Sequence, residues 1–164
     1  MVLASSRSLF LLGFVLSTVM LGTAYYLEWQ VGLIPCSLSQ VQRLCVACFG
    51  ISSLVAFVHG VSRRGTRLYL AGHTLLLCMG LAASLRHLWV QANGEQPKVV
   101  CQPGLDYLFA SLPWHDVLKT LLLGTPECAR VNWTLLDLSV PELSLLALAG
   151  LALVTVLGWL QALR

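Results

Sequence analysis

Four apolar runs, roughly Leu9–Leu27, Val41–His59, Leu68–Val90 and Leu143–Leu160, leave this chain few ways to fold. Each is close to the ~20 residues that a helix rising about 1.5 Å per residue needs to cross a hydrocarbon core of about 30 Å. Backbone amides in lipid must find partners within their own segment, so the runs are expected to be helices rather than strands. The composition agrees: 57% of the 164 residues are hydrophobic and 10% are charged, against about 25% charged in a soluble domain. The expectation is an all-α, integral membrane four-helix bundle, a single domain over residues 1–164, with little soluble mass.

The distribution of charge sets the orientation. Arg63, Arg64 and Arg67 crowd the connection between the second and third runs, Arg7 precedes the first and Arg164 follows the fourth. By the positive-inside rule these mark the cytoplasmic side, with both termini inside. Lys98, Lys119 and Arg130 are spread along a long outer loop instead. The acidic residues Glu28, Glu95, Asp106, Asp116, Glu127, Asp137 and Glu142 all fall outside, which agrees but adds little to a rule that counts basic residues. The first run ends in Tyr25-Tyr26-Leu27-Glu28-Trp29. It is longer than the core of a cleaved signal and lacks small residues at its end, so it reads as a retained span with an aromatic interface.

Two segments face outward, 28–39 and 91–141. A loop as long as the second is usually functional or disordered. It contains an amphipathic stretch, Leu105–Leu123, whose apolar members include Leu108, Phe109, Leu112, Trp114 and Leu118, with Pro113 expected to break it in two. Such a short helix can lie in the membrane interface or cap the bundle; membrane lipid is a partner in either case, and nucleic acid is not expected.

Cys36, Cys101 and Cys128 all fall on the outer side, where oxidation is permitted. A Cys101–Cys128 disulfide closes a loop of about 28 residues, worth about 3–4 kcal/mol in the chain-entropy model, and a structural staple is one reading of it. Cys36, in Pro35-Cys36-Ser37-Leu38-Ser39-Gln40-Val41-Gln42-Arg43, is odd in its own loop. An unmatched outer cysteine suggests an exchange partner, and a helix N-terminus with an arginine two turns on favours its thiolate. Cys45, Cys48 and Cys78 lie within spans and read as small apolar core residues. No histidine–cysteine spacing has the form of a zinc site, and no metal is expected.

Arg43 lies near the outer end of the second span, on the side where basic residues are less expected. An arginine there can donate to a quinone carbonyl and stabilise negative charge on it, or it can snorkel to headgroups. His87, after Arg86 at the outer end of the third span, can donate to a second carbonyl or face interfacial water. His59, His73 and His115 have no partner that the sequence identifies.

On these residues the chain resembles the DsbB family of disulfide-bond formation proteins. The residues are Trp29, Pro35-Cys36, Arg43, Arg86-His87, Cys101, Glu127-Cys128-Ala129-Arg130 and Trp133, in that order on a four-span frame. The resemblance implies a bacterial inner-membrane enzyme that reoxidises a periplasmic thioredoxin-fold oxidase, DsbA-like, and passes its electrons to ubiquinone or menaquinone. It implies that the reduced partner attacks Cys101 and that released Cys128 attacks Cys36. It also implies that Arg43 and His87 hold the quinone.

The chain departs from the family at the first-loop Cys-x-x-Cys, where Ser39 replaces the second cysteine. Serine cannot form a disulfide and is a poor nucleophile without a base. The resemblance therefore implies a stalled relay, either a trapping variant or a homologue that lost turnover, with Cys101–Cys128 or Cys36–Cys128 as the possible pairings. The competing readings are a vitamin K epoxide reductase-like enzyme, and a non-catalytic tetraspan scaffold stapled by one loop disulfide. A transporter is disfavoured because no span carries an acidic residue deep in the bilayer.

Overall fold

The computed structural model describes residues 6–33, 35–93, 113–117, 126–129, 134–135 and 137–163. Four long helices account for most of them: α1 (Ser6–Val31), α2 (Ser37–His59), α3 (Arg63–Asn93) and α4 (Val140–Leu163). All four are long and apolar enough to cross a membrane. They run past the apolar runs at most of their ends, because a helix continues into the polar interface after its hydrophobic stretch stops. The 31 residues of α3 reach about 46 Å, well beyond a hydrocarbon core of about 30 Å.

Successive helices are antiparallel neighbours. α1 packs on α2, α2 on α3, α3 on α4, and α4 closes the ring against α1. Among the described residues the core has three clusters, the third around Cys36, Leu38 and Cys128. Val46, Phe49, Leu77, Leu148 and Leu151 fill the first, while Phe10, Ala56, Leu70 and Ala162 fill the second. Leu44, Ile51, Val58, Leu68, Leu75 and Leu153 point outward and are exposed in the isolated chain. Helices that are apolar on every face require lipid on the outside. Between the helices, small residues set the approach distance, as is usual where lipid removes a hydrophobic drive for helix pairing. A methyl group added at Gly50 would meet Ser17 Cβ of α1 at 3.0 Å, and one at Gly158 would meet Leu70 Cδ2 of α3 at 2.7 Å.

Local signals set the ends. α1 stops at Gly32 (φ 73°) and α2 at Gly60 (φ 57°), both in the left-handed region that favours glycine. Ser62 opens α3: its carbonyl accepts from the Thr66 amide at 2.8 Å and its hydroxyl from the Gly65 amide at 3.4 Å. Arg63, Arg64 and Arg67, expected in a loop, belong to the first turns of α3. Arg67 donates to the Ala162 carbonyl at the end of α4 (3.1 Å), and Arg7 Nε to the Phe57 carbonyl at the end of α2 (3.0 Å). At this end the guanidiniums therefore satisfy orphan carbonyls at the negative poles of neighbouring helices.

The opposite end carries Glu28, Cys36 and His87. Here the chain forms features that the sequence did not signal. A 3-10 turn spans Pro126–Ala129, and a two-residue ladder pairs β1 (Thr134–Leu135) with β2 (Leu138–Ser139) through Asp137 at φ 65°. β2 leads directly into α4. Glu142 accepts from the Ser139 amide (2.6 Å) and hydroxyl (2.8 Å), so its carboxylate caps the helix start. The Ser139 hydroxyl also lies 3.2 Å from Gln91 Oε1, which ties this corner to α3. Of the expected amphipathic stretch only 113–117 is described; the rest lies outside the described residues. There the Pro113 carbonyl accepts from the Asp116 and Val117 amides, so a helical turn follows the proline.

Candidate functional site

Cys36 owes its position to Pro35 and to the start of α2. It is the N-cap residue, extended at φ −76° and ψ 169°, and its carbonyl accepts the first helical bond from the Gln40 amide at 3.1 Å. No side chain caps this terminus. The Cys36 sulfur turns inward instead, 7% exposed, against Leu38, Val90 and Cys128.

His87 reaches the same spot from α3. Its Nε2 lies 3.4 Å from Cys36 Sγ, and the ring is buried. Its other nitrogen, Nδ1, is buried without a hydrogen-bond partner. Arg86 turns aside and lies over the Trp89 ring at 4.4 Å. Cys128 arrives on the 3-10 turn, which packs on α3, and is 1% exposed. Ser37 Oγ lies 3.9 Å from its sulfur. The donor atoms of Cys36, His87 and Cys128 all fall within 4.8 Å of one another. Three segments far apart in sequence therefore converge on one buried point.

The environment changes the expected chemistry of Cys36. A hydrogen bond with Cys128, burial, and repulsion from charge on Cys128 all push the Cys36 thiol above the ordinary thiol range. The amides of Ser39 and Leu38 act the other way, as the helix N-terminus predicts, but are outweighed. Arg43 does not offset this. It forms an ion pair with Glu28 of α1, donates to the Ala24 carbonyl at 3.2 Å and lies over the Tyr25 ring at 5.2 Å. In this arrangement the neighbouring sulfur and burial oppose the thiolate that the helix N-terminus favours at Cys36.

Among the sequence-identified site residues, Cys36, Cys128 and His87 meet. Arg43 is engaged with α1. Ser39 is half-buried and precedes Arg43 by four residues, so the two share a helix face. Cys101 lies outside the described residues. Glu28 was missed as the partner of Arg43. Its only sequence signal was depth, an acid at the outer end of one span facing an arginine at the outer end of the next. Of the span cysteines expected in the core, Cys45 is buried but Cys48 and Cys78 are exposed on the outer surface of the bundle. His73 has partners that no sequence pattern gave. Its Nε2 lies 2.9 Å from Ser52 Oγ and 3.4 Å from Ser53 Oγ, and its ring stacks on Phe49 at 4.1 Å.

Gln42 Nε2 and Arg43 Nε are also buried and unpartnered at this end of α2. Unpaired buried donors are costly and rare.

Comparison with known proteins matches the sequence to one family. The family model described as "Disulfide bond formation protein DsbB" covers residues 6–158. Disulfide bond formation protein B of Stutzerimonas stutzeri is 42% identical over 152 residues, 93% of each chain. Disulfide bond formation protein B 2 of Pseudomonas fluorescens is 41% identical over 95% of this chain and 85% of that protein. The Methylococcus capsulatus protein of the same name is 37% identical over the full length of both. No solved structure gives a significant match. With the family model spanning all four helices and the curated relatives spanning nearly the whole chain, this protein belongs to the disulfide bond formation protein DsbB family.

Proposed function

We propose that this chain is a thiol oxidoreductase of the bacterial inner membrane, with both termini cytoplasmic, whose outer cysteines accept electrons from a periplasmic DsbA-like oxidase, and that Ser39 stalls the relay before its acceptor. The observation that carries the reading is the meeting of Cys36, His87 and Cys128 at one buried point.

The exchange begins at Cys101. A thiolate of the reduced partner attacks the Cys101 sulfur of a Cys101–Cys128 disulfide, forming a mixed disulfide and releasing Cys128 as a thiolate. The partner's second thiolate then attacks its own mixed disulfide, leaving the partner oxidised and Cys101 as a thiol. Two electrons and two protons now reside on the chain. Partners of this type are strong oxidants, near about −120 mV, so only an acceptor of higher potential draws these electrons onward.

In the family pattern Cys128 instead attacks a disulfide between Cys36 and its motif partner. Here Ser39 leaves Cys36 a thiol, and thiolate attack on a thiol forms no bond without an oxidant. The chain then rests with the partner attached at Cys101 or with its thiols reduced.

Ubiquinone or menaquinone is the implied acceptor; bound, it takes two electrons and two protons. Its carbonyl oxygens suit the unpartnered donors Arg43 Nε, Gln42 Nε2 and His87 Nδ1. Arg43, held by Glu28 and the Ala24 carbonyl, keeps its Nε as the donor left for such an oxygen. His87 is placed to exchange a proton with the Cys36 thiol.

Quinone reduction driven by reduced partner tests the stall. This chain is expected to show at most a single partner-oxidation event per molecule, and Ser39→Cys to turn over continuously. Turnover by the unaltered chain at the Ser39→Cys rate overturns the proposal.

A further inference from the structure

We propose that the reduced protein binds a thiophilic divalent metal ion of the zinc class between Cys36 Sγ, Cys128 Sγ and His87 Nε2. No feature of the sequence points to this, because the ligands come from a helix N-cap, a 3-10 turn and the last two turns of another helix rather than from a spaced motif.

The donor set and its geometry carry the inference. Zinc favours two thiolates and an imidazole, with metal–sulfur bonds of about 2.3 Å and metal–nitrogen bonds of about 2.0–2.1 Å. A tetrahedral ion with those bonds holds sulfur and nitrogen about 3.5 Å apart, and two sulfurs about 3.8 Å apart. Cys36 Sγ and His87 Nε2 already stand at 3.4 Å, and no pair of donor atoms in the trio exceeds 4.8 Å. The ion therefore enters with sub-ångström to ångström adjustments. All three side chains are buried, at 7%, 1% and 6% exposure, so the groups are already desolvated.

His87 supplies the second observation. Ligation through Nε2 requires the ring proton on Nδ1. That nitrogen is buried and has no hydrogen-bond partner. The fourth position is left to water or to Ser37 Oγ, 3.9 Å from Cys128 Sγ. Three protein ligands and one open position is an arrangement that zinc adopts in catalytic sites.

Binding is not a redox step. The ion enters, two thiols become thiolates, and two protons leave. Capture of both sulfurs blocks disulfide exchange at Cys36 and Cys128 for as long as the ion is held. The binding itself rests on donor atoms alone and does not require the relay to operate.

The test uses the full chain in detergent, reduced with a phosphine and freed of metal. Cys45→Ser and Cys48→Ser are introduced first, to remove a competing pair of thiols. Titration with Co²⁺ is expected to produce the visible bands of tetrahedral cobalt and a near-ultraviolet thiolate charge-transfer band, saturating at one equivalent and lost on adding Zn²⁺. Cys36→Ser and Cys128→Ser should each lower the charge-transfer intensity by about half and weaken binding at least tenfold. His87→Gln should weaken binding at least tenfold while leaving the charge-transfer band present at saturation. Cys101→Ser should leave the spectrum unchanged. Absence of tetrahedral cobalt bands from the folded parent overturns the proposal without a variant. So do bands that survive Cys36→Ser and Cys128→Ser, or that vanish with Cys101→Ser. The readout is spectroscopic, so it stands or falls separately from quinone reduction.

Discussion

Cys36 Sγ lies 3.4 Å from His87 Nε2 although 51 residues separate them. The contact depends on α2 beginning at the level where α3 is still helical. α3 runs on to Asn93, and Cys36 is the last residue before α2 starts. The overlap leaves a buried shelf onto which the turn bearing Cys128 closes.

The raised Cys36 thiol gives a reactivity prediction. Its largest cause is the hydrogen bond with Cys128, so Cys128→Ser should lower the midpoint of the pH profile for Cys36 alkylation and speed the reaction near neutral pH, on the order of tenfold for each unit the midpoint falls. Peptide mass analysis after pulsed alkylation reads this out. A midpoint unchanged in Cys128→Ser would show that burial alone holds the proton. The sign for stability follows. A group whose folded pKa is raised stabilises the fold below its unfolded pKa, about 8.5 for a thiol, and loses that contribution as pH climbs further. The reduced chain should therefore weaken above about pH 8.5 in denaturant titrations, and Cys36→Ser should remove most of that dependence.

Arg43 and Glu28 join α1 to α2 near the sulfur site, with side chains only 13% and 28% exposed. Removing one partner strands the other in a poorly solvated place. Arg43→Ala and Glu28→Gln should each destabilise by about 1–3 kcal/mol, less than a fully buried pair because Glu28 retains some solvent. A double-mutant cycle on unfolding in detergent should give a coupling of about 1 kcal/mol or more. Additive single effects would mean that the pair contributes nothing beyond its separate contacts.

Two glycines at helix contacts should respond differently to alanine. At Gly50 the new methyl meets Ser17 Cβ, which moves only with the α1 backbone. At Gly158 it meets Leu70 Cδ2, the end of a side chain that can change rotamer. Gly50→Ala should cost about 1–3 kcal/mol as α1 and α2 are forced apart. At Gly158 the gain in helix propensity, up to about 1 kcal/mol, offsets much of the strain. Thermal unfolding of the two variants side by side checks the order; equal losses would contradict it.

Much of this architecture was legible in the residues. Apolar length and the arginine cluster at one end gave the spans, because burying an unpaired amide in lipid leaves helix as the available local structure. The short β1–β2 ladder and the capping of α4 by Glu142 were not legible. Strands of two residues carry no periodicity, and Asp137 at positive φ has no unique signature. The surroundings that oppose a thiolate at Cys36 were not legible either. Sequence shows the helix N-terminus but not which sulfur will be its neighbour, and the neighbour outweighs the dipole.

Sequence alone determined what rests on local chemistry: four membrane-length helices, and a serine at residue 39 where the resemblance implies a cysteine. The tertiary structure decided what depends on where separate segments arrive. It gave Arg43 to Glu28 and brought Cys36, His87 and Cys128 within one donor sphere. Hydrophobic length is a property of a single segment, whereas the distance between two sulfurs is set by how helices and turns pack, and no pattern along one strand of sequence encodes it.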